Sequence, residues 1–448
     1  VLNVAIPKMA LALNGFDKSA WIITSYLLFS TIATPVSGKL ADIFGAKAVL
    51  IYSTFLFGLA SALCGSAGIF YSPLLGLDAI DQLILCRGLQ GIAGGAMIGL
   101  CFISIGDLFP VTERGKYQGF LAAAFIVAAL IGPALGGWLT DANSWRWIFF
   151  LNIPFSLIGC LLFQLSFPVS LRPRAQAIID YAGIVFFILF IAPLILAASE
   201  IGKLGSVSTV AGLELLVSAV MLAAFLWREK QAAEPLIPLS LFTNKLIAIS
   251  LVTVFVTGIG LFGSMLLLAM ILQKMVDMSG TSSGLALTPL MVLVAVASIA
   301  GGLIIAKTKR YKLLILGALA LLCLGTTMLA FDVQGELTLT KLLIDAGIGG
   351  VGLGLLLPVH TILIQNVARP ETMGVATSMT QFFRSLGGTI GTGLMSAVML
   401  SLVRQSSLKG AVYQALLLYA VTLVLALLLN LFLPVVPLKK SDKKASQE

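Results

Sequence analysis

From residue 20 to residue 434 the chain repeats one pattern, a long apolar run followed by a short break of charged, Gly-Pro or other polar residues. Roughly 20 apolar residues in a helix cross the hydrocarbon core of a bilayer. No water reaches the backbone there, so a chain that crosses without closing a barrel must cross as a helix. Thirteen such runs are found, near 20–40, 48–68, 82–107, 117–140, 146–167, 181–200, 208–227, 246–273, 282–306, 312–331, 340–366, 375–400 and 412–434. The opening VLNVAIPKMALAL is about seven residues short of a span. It reads as the end of a first helix whose start precedes Val1, which brings the expected total to fourteen. The sequence thus predicts an all-α polytopic membrane protein with the lipid bilayer as its main solvent.

Composition excludes most other classes. The 448 residues are 59% hydrophobic and 10% charged, against about 45–50% and about 25% in a soluble domain. A soluble enzyme, a secreted disulfide scaffold and a nucleic-acid binder are all set aside. Cys64, Cys86, Cys101, Cys160 and Cys323 sit singly in apolar runs, without the close pairing of metal or redox sites, and read as packing residues. There is no phosphate-cradling GxxxxGK(S/T) loop, no metal-ligand cluster and no nucleophile beside a histidine. No enzyme activity, cofactor or metal is expected, so any pumping must draw on an ion gradient or on the substrate's own.

An even number of spans places both termini on one side. With the start in the cytoplasm, eighteen lysines and arginines fall inside and seven outside, leaving Lys8, Arg87 and Arg384 within spans. That bias gives the orientation of a multi-pass cell-membrane protein with both termini cytoplasmic. The net charge of +9 is then mostly a topology signal, and residues 435–448 read as a basic cytoplasmic tail, not a nucleic-acid arm. The polar stretch Arg228 to Lys245 reads as a linker. It divides the chain into a six-helix bundle (1–167, first helix partial), two additional helices with the linker (168–245) and a second six-helix bundle (246–434).

An internal repeat supports two related bundles. Gly119, Gly132 and Gly136 recur at the spacing of Gly374, Gly387 and Gly391, and a register one turn away, pairing Gly115 and Gly132 with Gly374 and Gly391, fits almost as well. GKLADIFGAK from Gly38 has a degraded echo in GLIIAKTKRYK from Gly302, with Ala306 in place of Asp42.

Three segments carry candidate chemistry. Gly38, Asp42, Gly45 and Lys47 crowd a tight turn where a carboxylate can cap a helix N-terminus or pair with a cation, forming and breaking bonds as bundles rock; a plain solvated turn is the alternative. Arg87 lies about one turn inside its span, with Gln90, Gly91 and Gly94 following on. A guanidinium at that depth needs a partner or a wet cavity, unless it snorkels to the interface. Gly132, Pro133, Gly136 and Gly137 combine a lost backbone donor with bare backbone, which kinks a helix and lets another approach.

Together these segments resemble the major facilitator superfamily, and within it the fourteen-helix drug:proton antiporter branch of the EmrB/QacA type. NVAIP from Asn3, WIITSYLL from Trp21, GKLADIFG from Gly38, RGLQG from Arg87, GPALGGWL from Gly132, SWRWIFFLNIPF from Ser144 and PLIPLSLF from Pro235 carry the resemblance over nearly the whole chain. It implies a rocker-switch exporter with Asp42 in the cytoplasmic gate, Arg87 in proton coupling, and Gly132, Pro133, Gly136 and Gly137 in the antiporter motif. There are departures: the usual acid of helix 1 lies upstream of Asn3, Ala46 stands where a basic residue is common, and Ala128 replaces the leading glycine of the antiporter motif.

Other polar residues inside spans complete the candidate set. Thr377, Gln381, Arg384 and Gly388 fall on one helical face. Thr377, Gln381 and Arg384, with Asn3, Trp21 and Tyr26, are the expected substrate-cavity residues, and an arginine there favours neutral or anionic amphiphiles over dications. Glu214 is an auxiliary proton acceptor or an interfacial carboxylate paired locally. Asp345 is near enough to its helix end to be solvated, and His360, the sole histidine, is a packing residue or a proton relay. The expected function is export of small amphipathic compounds, by proton antiport with alternating access, in a chain that acts as a monomer. Export or flipping of an endogenous lipid or metabolite, and a non-transporting receptor, remain open beside it.

Overall fold

The computed structural model describes residues 2–69, 78–142, 144–168, 178–278, 280–335, 337–403 and 407–437. Within them the side chains of Asn3 and Pro133, and the surroundings of Gly136 and Gly137, lie outside the description. The apolar runs fold as helices: α1 (Leu2–Ala12), α2 (Trp21–Phe44), α3 (Ala46–Ser66), α4 (Ala79–Leu108), α5 (Val111–Ala142), α6 (Trp147–Phe150), α7 (Asn152–Ser166), α8 (Tyr181–Leu204) and α9 (Thr209–Gln231). They continue with α10 (Ser240–Thr243), α11 (Lys245–Lys274), α12 (Gly280–Thr308), α13 (Tyr311–Gln334), α14 (Leu339–Val367), α15 (Met373–Val403) and α16 (Leu408–Leu431). Among the described residues eleven helices are long and apolar enough to cross a membrane, α6 and α7 counting together as Trp147–Ser166. The more polar α2, of 24 residues, and α5, of 32, also have the length. No strand occurs among the described residues.

Local chemistry sets the boundaries. Ser208, Asn244, Thr338 and Ser407 stand just before α9, α11, α14 and α16, and each side chain accepts a first-turn amide, so these helices start where a short polar side chain can cap them. Gly45 ends α2 with φ +86°, a left-handed value that disfavours side chains, and so allows α3 to start at the next residue. The run expected as one span at 146–167 forms one membrane-length helical stretch, Trp147–Ser166, because Leu151 between α6 and α7 keeps helical dihedrals (φ −58°, ψ −30°) and its amide donates to the Trp147 carbonyl at 3.0 Å. Pro154 has no amide to give the Phe150 carbonyl, so that backbone hydrogen bond is missing while the helix continues.

The chain forms two compact units. The first comprises Val1–Ser104, Val127–Asp180 and Pro370–Ser378, and the second Ile105–Ile126, Tyr181–Arg369 and Met379–Glu448. The start of α5 thus belongs to the second unit, and the start of α15 to the first.

In the first unit, α3 packs against α2, α6 and α7. Reciprocal cations fasten it: Arg146 donates to the Gly65 and Ala67 carbonyls at the end of α3 (2.8 and 2.6 Å), and Lys47 donates to Gln164 and Phe167 at the end of α7 (3.0 and 2.7 Å). Both place positive charge where a helix leaves its carbonyls unpaired. The α2 and α4 backbones nearly touch, since a Cβ on Gly91 would meet the Tyr26 carbonyl at 2.4 Å and one on Gly95 the Ser30 carbonyl at 2.1 Å.

In the second unit, α14 packs between α12 and α13, and α13 against α16, over a core that includes Ile271, Ile315, Leu319, Ile362 and Leu423. The hairpin of α8 and α9 is joined to α15 by Phe187, whose ring lies 5.5 Å from Phe225 and 5.4 Å from Phe382. The linker is pinned by Glu229, whose carboxylate accepts from the Leu236 and Ile237 amides at 3.2 Å each. On α7 the apolar residues Phe155, Leu161 and Leu165 are exposed, as an outer face meeting lipid acyl chains requires.

Candidate functional site

Arg87 is buried in the first unit and held by neutral groups. Its Nε donates to the Ile22 carbonyl at 3.1 Å, an Nη donates to Gln90 Oε1, and the guanidinium lies 4.2 Å from the centre of the Tyr26 ring. Gln90 in turn donates from Nε2 to Ser61 Oγ at 2.6 Å, and the same hydroxyl accepts from Asn152 Nδ2 at 3.4 Å. One charge is thereby connected through α2, α4, α3 and α7. Among the described residues Arg87 has no carboxylate partner. The spacing of Arg87 and Gln90 at i and i+3 was legible as one face, but Ser61 and Asn152 come from other helices and carry no sequence signal. Cys64 also joins, its thiol 3.9 Å from Gln90 Oε1 and within hydrogen-bonding reach of Cys86. All five cysteines are free, and this pair, 22 positions apart, is brought together by α3 and α4.

At the other end of α2, the Asp42 carboxylate accepts from the Gly374 amide at 2.7 Å and the Val375 amide at 2.9 Å. These are first-turn amides of α15, which a helix leaves without partners of its own, so the anion meets both orphan donors and the positive end of the helix dipole. Contact is close because both helices carry glycine there: a Cβ on Gly374 would sit 2.6 Å from the Gly38 carbonyl, and one on Gly38 would sit 2.8 Å from the Gly374 carbonyl. Gly45 makes the turn, and Lys47 is committed to the end of α7.

The second unit contains a matching crossing. A Cβ on Gly115 of α5 would lie 2.5 Å from Gly302 of α12, and one on Gly302 would lie 2.4 Å from Gly115. Gly38 pairs with Gly374 as Gly302 pairs with Gly115, which selects the repeat register that equates Gly115 with Gly374. At the position equivalent to Asp42 stands Ala306, so only the α2–α15 crossing carries a carboxylate cap.

On α15, Arg384 donates to Gln381 Oε1 and to the Leu357 carbonyl of α14, each at 3.1 Å. Its Nε, the amide nitrogen of buried Gln381 and both ring nitrogens of fully buried His360 have no partner. Thr377 is buried on the same helix, and Thr361 and Thr380 approach across the α14–α15 interface at 3.5 Å. The glycines of the second copy bring α11 close, with Gly387 under the Phe255 carbonyl and Gly258 under that of Arg384.

The remaining candidates are dispersed. Glu214 belongs to the second unit; its Oε2 is unpartnered, the Glu200 carboxylate acts on it, and among the described residues no cation pairs with it. Trp21 is exposed at the start of α2, while Tyr26 stacks on Arg87. Gly132 is buried in α5, whereas the surroundings of Pro133, Gly136, Gly137 and Asn3 lie outside the described residues. Asp345 departs from expectation: it is not solvated but 1% exposed, because its position on α14 turns it toward α13 and α16 and away from the helix end.

Comparison with known proteins agrees with this architecture. Residues 1–392 match the Major Facilitator Superfamily. The chain is 35% identical over 405 residues to the multidrug transporter protein MdtP of Bacillus subtilis (strain 168), covering 89% of this chain and 72% of that one. It is 30% identical over 403 residues to multidrug resistance protein 3 of the same organism, covering 89% and 75%, and it spans 56% of the length of two Mycobacterium tuberculosis transporters. The solved structure of the proton:xylose symporter XylE superimposes with a TM-score of 0.68 at 16% identity, covering 97% of this chain and 92% of that one. A family match across most of the chain, on an all-helical fold with a glycine-crossed pair of repeats, places this chain in the Major Facilitator Superfamily of membrane transporters.

Proposed function

We propose that the chain is a secondary active exporter of small amphipathic, drug-like compounds, of the fourteen-helix drug:proton antiporter branch, working by alternating access in a cell membrane with both termini cytoplasmic. The observation that carries the reading is Arg87, a charge buried in a transport fold and answered among the described residues by neutral groups alone. A charge so held is a natural place for a proton moving on or off a nearby group to be felt. The names of the two Bacillus relatives support drug efflux as the cargo class. Asp42 acts in this reading as the latch of a gate, and Gly132, Pro133, Gly136 and Gly137 restrict leak. Glu214 assists proton uptake. The bundles are divided at 167 and 246.

In the second unit, Gln381 and Arg384 of α15 are the residues this reading gives to substrate. Unpartnered donors at Arg384, Gln381 and His360 favour neutral or anionic amphiphiles, since a dication beside a guanidinium is repelled. The test is transport in proteoliposomes under an imposed pH gradient, with fluorescent dyes of three charges: anionic, neutral and dicationic. Substrate-dependent proton movement, with the dication the poorest substrate, is the expected result. Export that ignores the gradient would refute antiport, and a dication as best substrate would refute the assignment of cargo charge.

A further inference from the structure

Inside the second unit, between α11, α12, α13, α14 and α16, lies a cavity of about 70 Å³. Most of its wall is apolar, with Leu290, Met291, Leu322 and Leu353 among the lining residues. Four polar side chains line it, Ser264, Thr326, Asp345 and Tyr419, and the Thr326 hydroxyl is already donated to the Leu322 carbonyl at 2.8 Å. Asp345 is 1% exposed with Oδ2 unpartnered, and Tyr419 is 2% exposed with its hydroxyl unpartnered. Gly260 makes room for that hydroxyl, which occupies the place a Cβ would take. Such a pair is costly to bury and is seldom left without a partner.

The charges around Asp345 come from two helices. On α13, Asp332 lies within hydrogen-bonding reach of the Asp345 carboxyl, and Asp332 is a third exposed and paired with Lys341 at 3.8 Å. Lys341 is on α14 itself, one turn before Asp345. Tyr419 comes from α16, with Cys323 of α13 beside it, while the cavity-lining residues of α11 and α12 include no titratable side chain. Two carboxylates and one lysine leave a net charge of −1, most of it against an apolar wall. One added proton neutralises the cluster and supplies the hydrogen that two adjoining carboxyl groups need in order to bond.

We propose that Asp345, in a cavity that Tyr419 also lines, is a proton-binding site within the second unit, filled from the aqueous edge through Asp332. The cavity has room for about two waters, at roughly 30 Å³ each. Loss of the proton puts charge between α13, α14 and α16, so occupancy of the site bears on how those helices pack. The site does not require the exporter reading; its use to drive transport rests on that reading.

The test uses dicyclohexylcarbodiimide on the full chain in proteoliposomes. The reagent takes the carboxyl proton on nitrogen as the carboxylate oxygen bonds to its central carbon, and the O-acylisourea rearranges to a stable N-acylurea with no other product. Labelling of Asp345, mapped by mass spectrometry of the α14 peptide, is expected to be at least five times faster at pH 6 than at pH 9. Tyr419→Phe is expected to move that pH profile, and Asp332→Asn to slow labelling at Asp345. An unlabelled α14 peptide at pH 6, or a rate ratio below five, overturns the site. The wild-type measurement suffices, so a variant that fails to fold leaves the test intact. If Asp345 is labelled as expected but no proton movement accompanies dye export, the antiport reading fails and the site stands. If export is proton-coupled and Asp345 is unlabelled, the site fails alone.

Discussion

Replacing Asp42 by alanine removes the acceptor from two amides, Gly374 and Val375, that sit 2.7 and 2.9 Å from its oxygens. Hydrogen bonds to a charged group contribute about 1.5–3 kcal/mol each. Asp42 is half-buried, so water recovers much of that when the contact opens, and a net value near 2 kcal/mol is the reasonable sum for the pair. At 1.4 kcal/mol per factor of ten, that is about 25-fold in the open-to-closed ratio of the α2–α15 contact. Amide hydrogen exchange reads the ratio directly, because first-turn amides have no acceptor within their own helix. Exchange on the peptide spanning 370–378, followed by mass spectrometry in nanodiscs, is expected to rise about 25-fold in Asp42→Ala. Asp42→Asn, which keeps one neutral acceptor oxygen, is expected to rise by a smaller factor of about five. Exchange in both variants within two-fold of wild type would show that the carboxylate does not hold α15, and the latch argument would fall.

Other outcomes follow from the same geometry. Gly302→Leu is expected to destabilise the second unit by several kcal/mol, since its Cβ meets the Gly115 backbone at 2.4 Å, whereas Gly317→Ala, with nothing within 4 Å, should raise the melting temperature slightly; equal shifts in the two would refute the packing argument. Ser61→Ala leaves Gln90 and Asn152 each short of a partner and is expected to cost about 1–3 kcal/mol in thermal melts. Arg87→Lys retains the charge but cannot reach Ile22, Gln90 and the Tyr26 ring together. Proton-driven export should fall at least ten-fold in that variant, while the protein remains folded.

The helices were readable because lipid leaves the backbone no alternative to internal pairing, so each span shows as a run of composition. The run at 146–167 stays one span, Trp147–Ser166, although Pro154 takes one amide out of its ladder. What the sequence carries poorly is rotation about a helix axis. Asp345 stands seven residues into α14, which gives its depth, but whether it faces water or α13 depends on neighbours distant in the chain. Ser61, Asn152 and Cys86 were hidden for the same reason. The repeat is an intermediate case: two glycine registers matched almost equally as strings, and the Gly38–Gly374 and Gly302–Gly115 contacts separate them because only one register aligns the crossings.

Membership of residues 370–378 in the first unit has a consequence for biosynthesis. Asp42 and its amide partner Gly374 are separated by 332 positions. At roughly 5–20 residues per second, a ribosome needs on the order of half a minute to supply the second after the first. During that interval the end of α2 has emerged without the helix start that completes it, and Gly38 lies open where a glycine-sized surface will later be covered. Substitutions at Gly38 and Asp42 therefore act twice, once on the finished transporter and once on a half-made chain whose exposed seam is available to chaperones, proteases and other nascent helices.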